Sequence, residues 1–326
     1  MKKHLLRLAF INGLLFLSIC IFAQEYSDFY FTRVNGENGL SESNVKAILQ
    51  DSYGFMWFGT KNGLNRYDGT SILQFDCDDL EEGTGNHNIG ALFEDKERNL
   101  WVGTDRGVYI YNPAVDVFKR FKIASSEGIT LDNWVAEILS DSLDNIWVLI
   151  PDQGLFRYKD GKVHHYSLID KDNLKNNNPE CICINEQGEV WVGTSGIGLF
   201  KYNYRDDNFE QYLTDRMGRS LIDKTIISIC FQKENAILGI HEGDLLKYNT
   251  RTDELSEVSF LGEKKTFLRD VMCFGDEIWV GSLHGIFIIN EKENNVIHLK
   301  EDLMRSFSLS DNSICLLYTS DAADEL

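Results

Sequence analysis

Positive charge is scarce in this chain: 32 Lys and Arg stand against 51 Asp and Glu, leaving a formal net charge of -19. Nucleic acid and anionic membranes are recognised mainly through Lys and Arg, so a surface of this sign argues against contact with either. Proline is nearly absent, at three in 326 residues, while 43% of the chain is hydrophobic and 12% aromatic. Such a composition excludes disorder over most of the length. Long apolar runs are confined to residues 5–22, with Lys2, Lys3 and Arg7 at the basic start and the small Ala23 ahead of Gln24. That is the layout of an export signal covering residues 1–23. Asn12, Gly13 and Ser18 interrupt the run, which speaks against a retained membrane anchor, and the expected location is the periplasm or the cell exterior.

Catalytic motifs are missing as well. There is no G-x-S-x-G, no H-E-x-x-H, no Walker loop and no dinucleotide-binding glycine motif, so no catalytic residue and no cofactor is assigned. His164-His165 is the nearest thing to a metal cluster, but neighbours on a strand point to opposite faces and cannot chelate from one side. The acidic pairs Asp78-Asp79 and Glu81-Glu82 read as a solvated loop. Of seven cysteines, Cys20 falls in the leader, and Cys181 and Cys183 are two apart, which is neither C-x-x-C nor a usual zinc spacing. Cys183, Cys230 and Cys273 align at one strand position that holds Leu49, Phe93 and Leu139 in other units, with Met272 in the neighbouring series of Ile48 and Ile229. They are expected to behave as small buried hydrophobes without a disulfide framework.

What the chain does have is a repeat. Trp57 opens the run WFGT, and the same slot holds Trp101 (WVGT), Trp147 (WVLI), Trp191 (WVGT), Ile237 (ILGI) and Trp279 (WVGS), at spacings of 44, 46, 44, 46 and 42. A second beat follows each anchor by ten or eleven residues at Tyr67, Tyr111, Tyr158, Tyr202, Tyr248 and Ile289, with a glycine ahead of it. A period in the forties is the length of one four-stranded propeller blade. Within a unit the turns are marked by D-x-x-G, N-G and D-G, which supply the positive φ of tight reversals. The first strand of each unit is apolar on both faces, as a sheet stacked between two neighbours requires.

The expected fold is therefore an all-β propeller with six complete four-stranded blades over residues 24–308. Phe29-Tyr30-Phe31-Thr32-Arg33 is expected to be a strand that closes the ring. A seventh unit opens at Leu309-Ser310-Asp311-Asn312-Ser313-Ile314, echoing Leu40-Ser41-Glu42-Ser43-Asn44-Val45. After Leu316 the pattern breaks, and residues 309–326 read as a truncated blade with a foreign tail on a protein that is seven-bladed when intact. The anchor tryptophans are expected to fill the gaps between blades.

One slot departs from the register. Thirteen residues ahead of their anchors stand Asn44, Asn88 and Asn178, but unit three has Trp134. This lies where the chain enters the innermost strand, near the channel mouth, so the indole either stacks on a sugar ring or packs between blades.

The LSESNV, QDSYGFMWFGT and NGLNRYDG blocks of residues 40–75 resemble the two-component regulator propeller repeat, and the likeness extends over residues 28–315. The family is that of the periplasmic sensor half of hybrid two-component systems of Bacteroidetes. The resemblance implies a pair of seven-bladed propellers, a β-sandwich, a membrane helix, a histidine kinase, receiver domains and a DNA-binding domain in one polypeptide. It also implies homodimeric sensing of oligosaccharides released from glycans. Only the leader and most of the first propeller would lie within this chain. A secreted polysaccharide lyase or hydrolase, and a structural or adhesion propeller, are the competing readings.

Overall fold

The computed structural model describes residues 29–77, 88–122, 128–168, 178–260, 266–305 and 307–319. The leader, the Asp78 to Glu82 loop and the tail from Ser320 lie outside them. Six four-stranded antiparallel sheets follow one another along the chain, each paired in chain order. In blade 1 these are β1 (Val45–Gln50), β2 (Met56–Thr60), β3 (Gly63–Tyr67) and β4 (Ile72–Phe75). Blades 2 to 6 span residues 89–120, 137–166, 179–212, 222–257 and 268–299. Among the described residues the only helical element is a 3-10 turn at Gly36–Asn38. Blade 5 is complete despite its missing tryptophan. Its inner strand, Ile222–Gln232, also pairs with the second strand of blade 4, Val190–Ile197, and joins the two sheets at that edge.

The two sequence beats meet each other across the seams. Trp57 lies 5.8 Å from Tyr111 of the next blade, Trp101 5.6 Å from Tyr158, Trp147 4.8 Å from Tyr202 and Trp191 6.4 Å from Tyr248. Ile237 and Ile289 share the corresponding cluster between blades 5 and 6. Trp57, Trp147 and Trp191 are among the most deeply buried side chains. An indole N–H needs a partner once buried, and in the first three blades the first turn of the unit provides it. Trp57 Nε1 donates to Asp51 Oδ2 at 2.7 Å, Trp101 to Asp95 at 2.8 Å and Trp147 to Asp141 at 2.9 Å. The hydroxyls of Tyr111 and Tyr248 are held in the same way, by Asp116 and Asp253 five residues on.

The glycine two residues after the anchor, present in every unit but the third, where Leu149 stands, marks the closest approach of neighbouring blades. A Cβ at Gly59 would stand 2.6 Å from Ile89 of blade 2, and one at Gly103 2.6 Å from Val135 of blade 3. Gly281 of blade 6 faces Ile314 in the same way, and Ile314 N–H donates to the Ser282 carbonyl at 2.9 Å. The opening of the seventh unit thus lies in the seventh-blade position. Beyond it, Tyr318 accepts a hydrogen bond from Gln50 N–H of blade 1 at 2.8 Å.

Two expectations are corrected. Residues 29–33 form no strand; Phe31 N–H makes a single bond to the Phe307 carbonyl, and Phe29 packs edge-on against Trp279 at 5.9 Å. Phe29 thereby meets the blade 6 anchor where a further blade would present its aromatic. The second correction concerns the cysteines, because Cys230 and Cys273 are joined by a disulfide. Equivalent positions on two blades face the same way and could not bond. Cys230 is indeed the residue opposite its anchor, Ile237, but in blade 6 that place belongs to Met272, opposite Trp279. Cys273 sits one residue later and, by strand alternation, faces back toward blade 5. The first hairpin of blades 5 and 6 is shorter than that of blade 1, closing at Gln232–Asn235 and Phe274–Glu277. These two hairpins are equal in length, so the counterpart of Cys230 is Met272, and the expected equivalence of Cys273 was off by one residue. Cys181 and Cys183 remain free thiols between blades 4 and 5, and burial raises the thiol pKa of both, that of Cys183 to about 12.

Candidate functional site: the central channel

The inner strands line a central cavity of about 320 Å³ whose walls come from blades 3 to 6 and from Leu317. Two carboxylates reach it. Glu137 of blade 3 accepts a hydrogen bond from Ile182 N–H of blade 4 at 2.7 Å. Burial pushes its pKa up to about 8, opposed by that bond and assisted by the charge of Asp270. Asp270 of blade 6 accepts from the Ser228 hydroxyl of blade 5 at 2.8 Å, from its neighbour Val271 N–H at 2.8 Å and from Leu317 N–H at 2.8 Å. Burial raises its pKa too, against those three bonds. Both groups stitch adjacent units together. A general acid-base pair needs the two carboxyls turned to a substrate with opposite protonation preferences, whereas here both are pushed the same way and hold the scaffold.

Trp134, the aromatic singled out by its slot, is half-buried. Its ring edge rests on Gly90 of blade 2, where a Cβ would come within 2.5 Å of the indole. The Lys46 ammonium of blade 1 lies 4.8 Å from the ring centroid, a cation–π distance, and donates to Asn88 Oδ1 at 3.0 Å. Three blades therefore converge at this point, with Lys46, Asn88 and Trp134 presenting a cation, an amide and an indole. Asn44 is exposed and Asn178 half-buried. A carbohydrate needs such groups, since its hydroxyls take hydrogen bonds and its C–H face takes an aromatic ring.

His164 and His165 lie on opposite faces of their strand. His164 is exposed, while His165 Nε2 is 2.6 Å from the Gln153 carbonyl and its ring packs on Phe156. Sequence reasoning missed Lys46, Gly90, Glu137 and Asp270. Gly90 was the available signal, a glycine inside a strand, which marks close approach of another group.

Residues 39–62 and 83–106 match the family model described as two component regulator propeller. These segments are regulator propeller repeats. Over 54 residues, 17% of this chain and 4% of that protein, the sequence is 46% identical to histidine kinase P4 of Formosa agariphila. Its fold is similar to the extracellular domain of a putative one component system from B. thetaiotaomicron, with TM-score 0.72 and 22% identity over 91% of this chain and 38% of that one. The extracellular domain of a putative hybrid two component system from the same organism gives 0.69 and 22% over 87% and 38%. PorZ, a surface component of the type-IX secretion system of Porphyromonas gingivalis, gives 0.66 and 16% over 87% and 45%. This chain therefore spans less than half of each of these proteins. Among the described residues no helix is long and apolar enough to cross a membrane.

Proposed function

We propose that this chain is the ligand-sensing propeller region of a hybrid two-component sensor histidine kinase, exported by residues 1–23 and facing the periplasm. The observation that carries the reading is the coincidence of regulator propeller repeats in its first two units with a fold shared across 91% of its length with the extracellular domain of a putative one component system. On this reading the propeller is seven-bladed in the intact protein, with residues 309–326 opening the last blade. It continues into a second propeller, a β-sandwich and membrane-anchored kinase parts, and works as a homodimer. The ligand is an oligosaccharide released from a complex glycan, and the output is control of polysaccharide-utilisation genes. Binding shifts the population between two dimer arrangements, which requires the ligand to prefer one of them. Trp134, with Lys46 and Asn88 beside it, is the ligand contact proposed within this region.

The test is a strain lacking the gene, grown on a panel of complex glycans with transcript profiling. Loss of induction of one polysaccharide-utilisation locus is expected, restored by the wild-type gene and weakened by Trp134→Ala in the full-length protein. Normal induction of every locus in the deletion strain would refute the sensing role. Normal induction with Trp134→Ala would remove Trp134 from the site.

A further inference from the structure

Strand register, and not distance from the anchor, identifies the blade 6 counterpart of Trp134. Asn88 and Asn178 stand one residue ahead of the Ile89–Thr104 and Pro179–Thr194 pairs, and their carbonyls accept from Asp105 and Ser195 N–H at 3.2 and 3.0 Å. In blade 6 that place belongs to Phe267, ahead of the Leu268–Ser282 pair, with its carbonyl accepting from Leu283 N–H at 3.2 Å. Thr225 holds it in blade 5. In the six complete blades this ring of slots is therefore polar except on blades 3 and 6, whose inner strands both line the central cavity. Phe267 is 50% exposed, and its ring lies 5.2 Å from that of His241 of blade 5.

The inner strands also bring charge to this opening. Just inside the slots the strand skips one residue against its partner: Lys46, Gly90, Glu180, Ile227 and Arg269 in blades 1, 2, 4, 5 and 6. A skipped residue is released from the pleat, and its side chain is re-aimed. Gly90 receives the Trp134 ring, and Ile227 packs into the seam with blade 6. Lys46 and Arg269 are the cations of the series, and Arg269 is exposed. Among the described residues neither meets a carboxylate, whereas Arg157, Lys201, Lys224 and Lys247 are each ion-paired. Glu180, the carboxylate of the series, stands on blade 4 in the field of His241. In a chain of net charge -19, two cations without a counter-ion at one opening, each with an exposed or half-buried aromatic beside it in space or sequence, call for an anion.

We propose that the channel mouth takes an acidic oligosaccharide, one whose sugar rings carry carboxylate or sulfate groups. The inference rests on the sensing role proposed above and names its ligand class. One sugar lies on Trp134 with its anion at Lys46, and another lies on Phe267 with its anion at Arg269. The aromatic rings take the apolar faces of the sugars, and the charge-assisted hydrogen bonds select the acidic form. The net charge of the chain opposes a polyanion at long range, but within a Debye length the two local cations decide.

The test titrates the full chain at low salt, following tryptophan fluorescence and the heat of binding. Maltohexaose and cellohexaose supply an α-linked and a β-linked backbone, and each is used neutral, oxidised to the uronate and as its sulfate ester. An acidic form of one backbone should bind saturably and about tenfold or more tighter than its neutral parent, and should weaken as salt rises. Whichever of uronate and sulfate binds more tightly names the anion. Lys46→Gln/Arg269→Gln should abolish the preference without a change in thermal midpoint, and Lys46→Arg/Arg269→Lys, which keeps both charges, should retain it. Phe267→Ala should weaken the acidic form severalfold. Equal affinity for acidic and neutral forms, no saturable binding of any acidic form, or an unchanged preference in the glutamine variant would overturn the proposal. The sensing role fails separately, through normal induction in the deletion strain.

Discussion

Glu137→Gln is the most informative substitution, because it removes a charge from the channel while keeping an oxygen to accept the Ile182 N–H. The carboxyl of Glu137 has a pKa of about 8 in the folded protein against an ordinary value of 4.5. A raised carboxyl pKa means that the folded state prefers the neutral form. Its contribution is fully present below about 4.5 and is lost as pH rises through about 8. At about 1.4 kcal/mol per pH unit, the loss between pH 5 and pH 9 has a ceiling of about 4 kcal/mol. Access of water to the channel brings the realised value to on the order of 1–3 kcal/mol. The glutamine variant carries no such penalty. In urea unfolding followed by tryptophan fluorescence it should match the parent within about 1 kcal/mol at pH 5 and exceed it at pH 9. Asp270 also titrates upward and is common to both proteins, but its charge helps raise the Glu137 pKa, so the offset reports Glu137 together with its coupling to Asp270. An offset equal at the two pH values, or one that grows toward acid, would show that Glu137 is not held neutral by burial.

Trp147→Ala should cost about 3–5 kcal/mol in the same assay, since the ring is fully buried against Tyr202 and its N–H is committed to Asp141; a loss below about 1 kcal/mol would contradict the wedge role. The Cys230–Cys273 disulfide closes a loop of 43 residues, worth about 4 kcal/mol by chain entropy. Reductant should lower the urea midpoint of the parent and leave Cys230→Ser/Cys273→Ser unmoved, and equal shifts in both would argue against the bond. Gly90→Ala places a methyl group 2.5 Å from the Trp134 ring, so the indole should be displaced toward solvent and its emission shifted to the red; an unchanged spectrum would refute that packing.

The anchors and second beats were legible because they recur at one register position: a large ring in five of the six units, and in five of the six a glycine where the next blade approaches. What no single unit reveals is that Trp57 and Tyr111, or Trp147 and Tyr202, are two halves of one contact, since each pair is assembled only when blades stack. Unit five illustrates the same point. Ile237 lacks the marker yet fills the same seam with Ile289, because the seam requires buried apolar volume and not an indole as such.

Sequence alone determined the fold class and the repeat, since period and alternation are local properties repeated six times. Tertiary structure decided which groups meet from different blades. The disulfide depends on Cys230 and Cys273 lying one register position apart on neighbouring blades, so that they face each other. The Glu137 and Asp270 carboxyls face one channel because the ring brings blades 3 and 6 together across it. Lys46 reaches Trp134 past a glycine of the blade between them. Each of these pairs is separated by tens of residues along the chain, and only the curvature of the ring places them within reach.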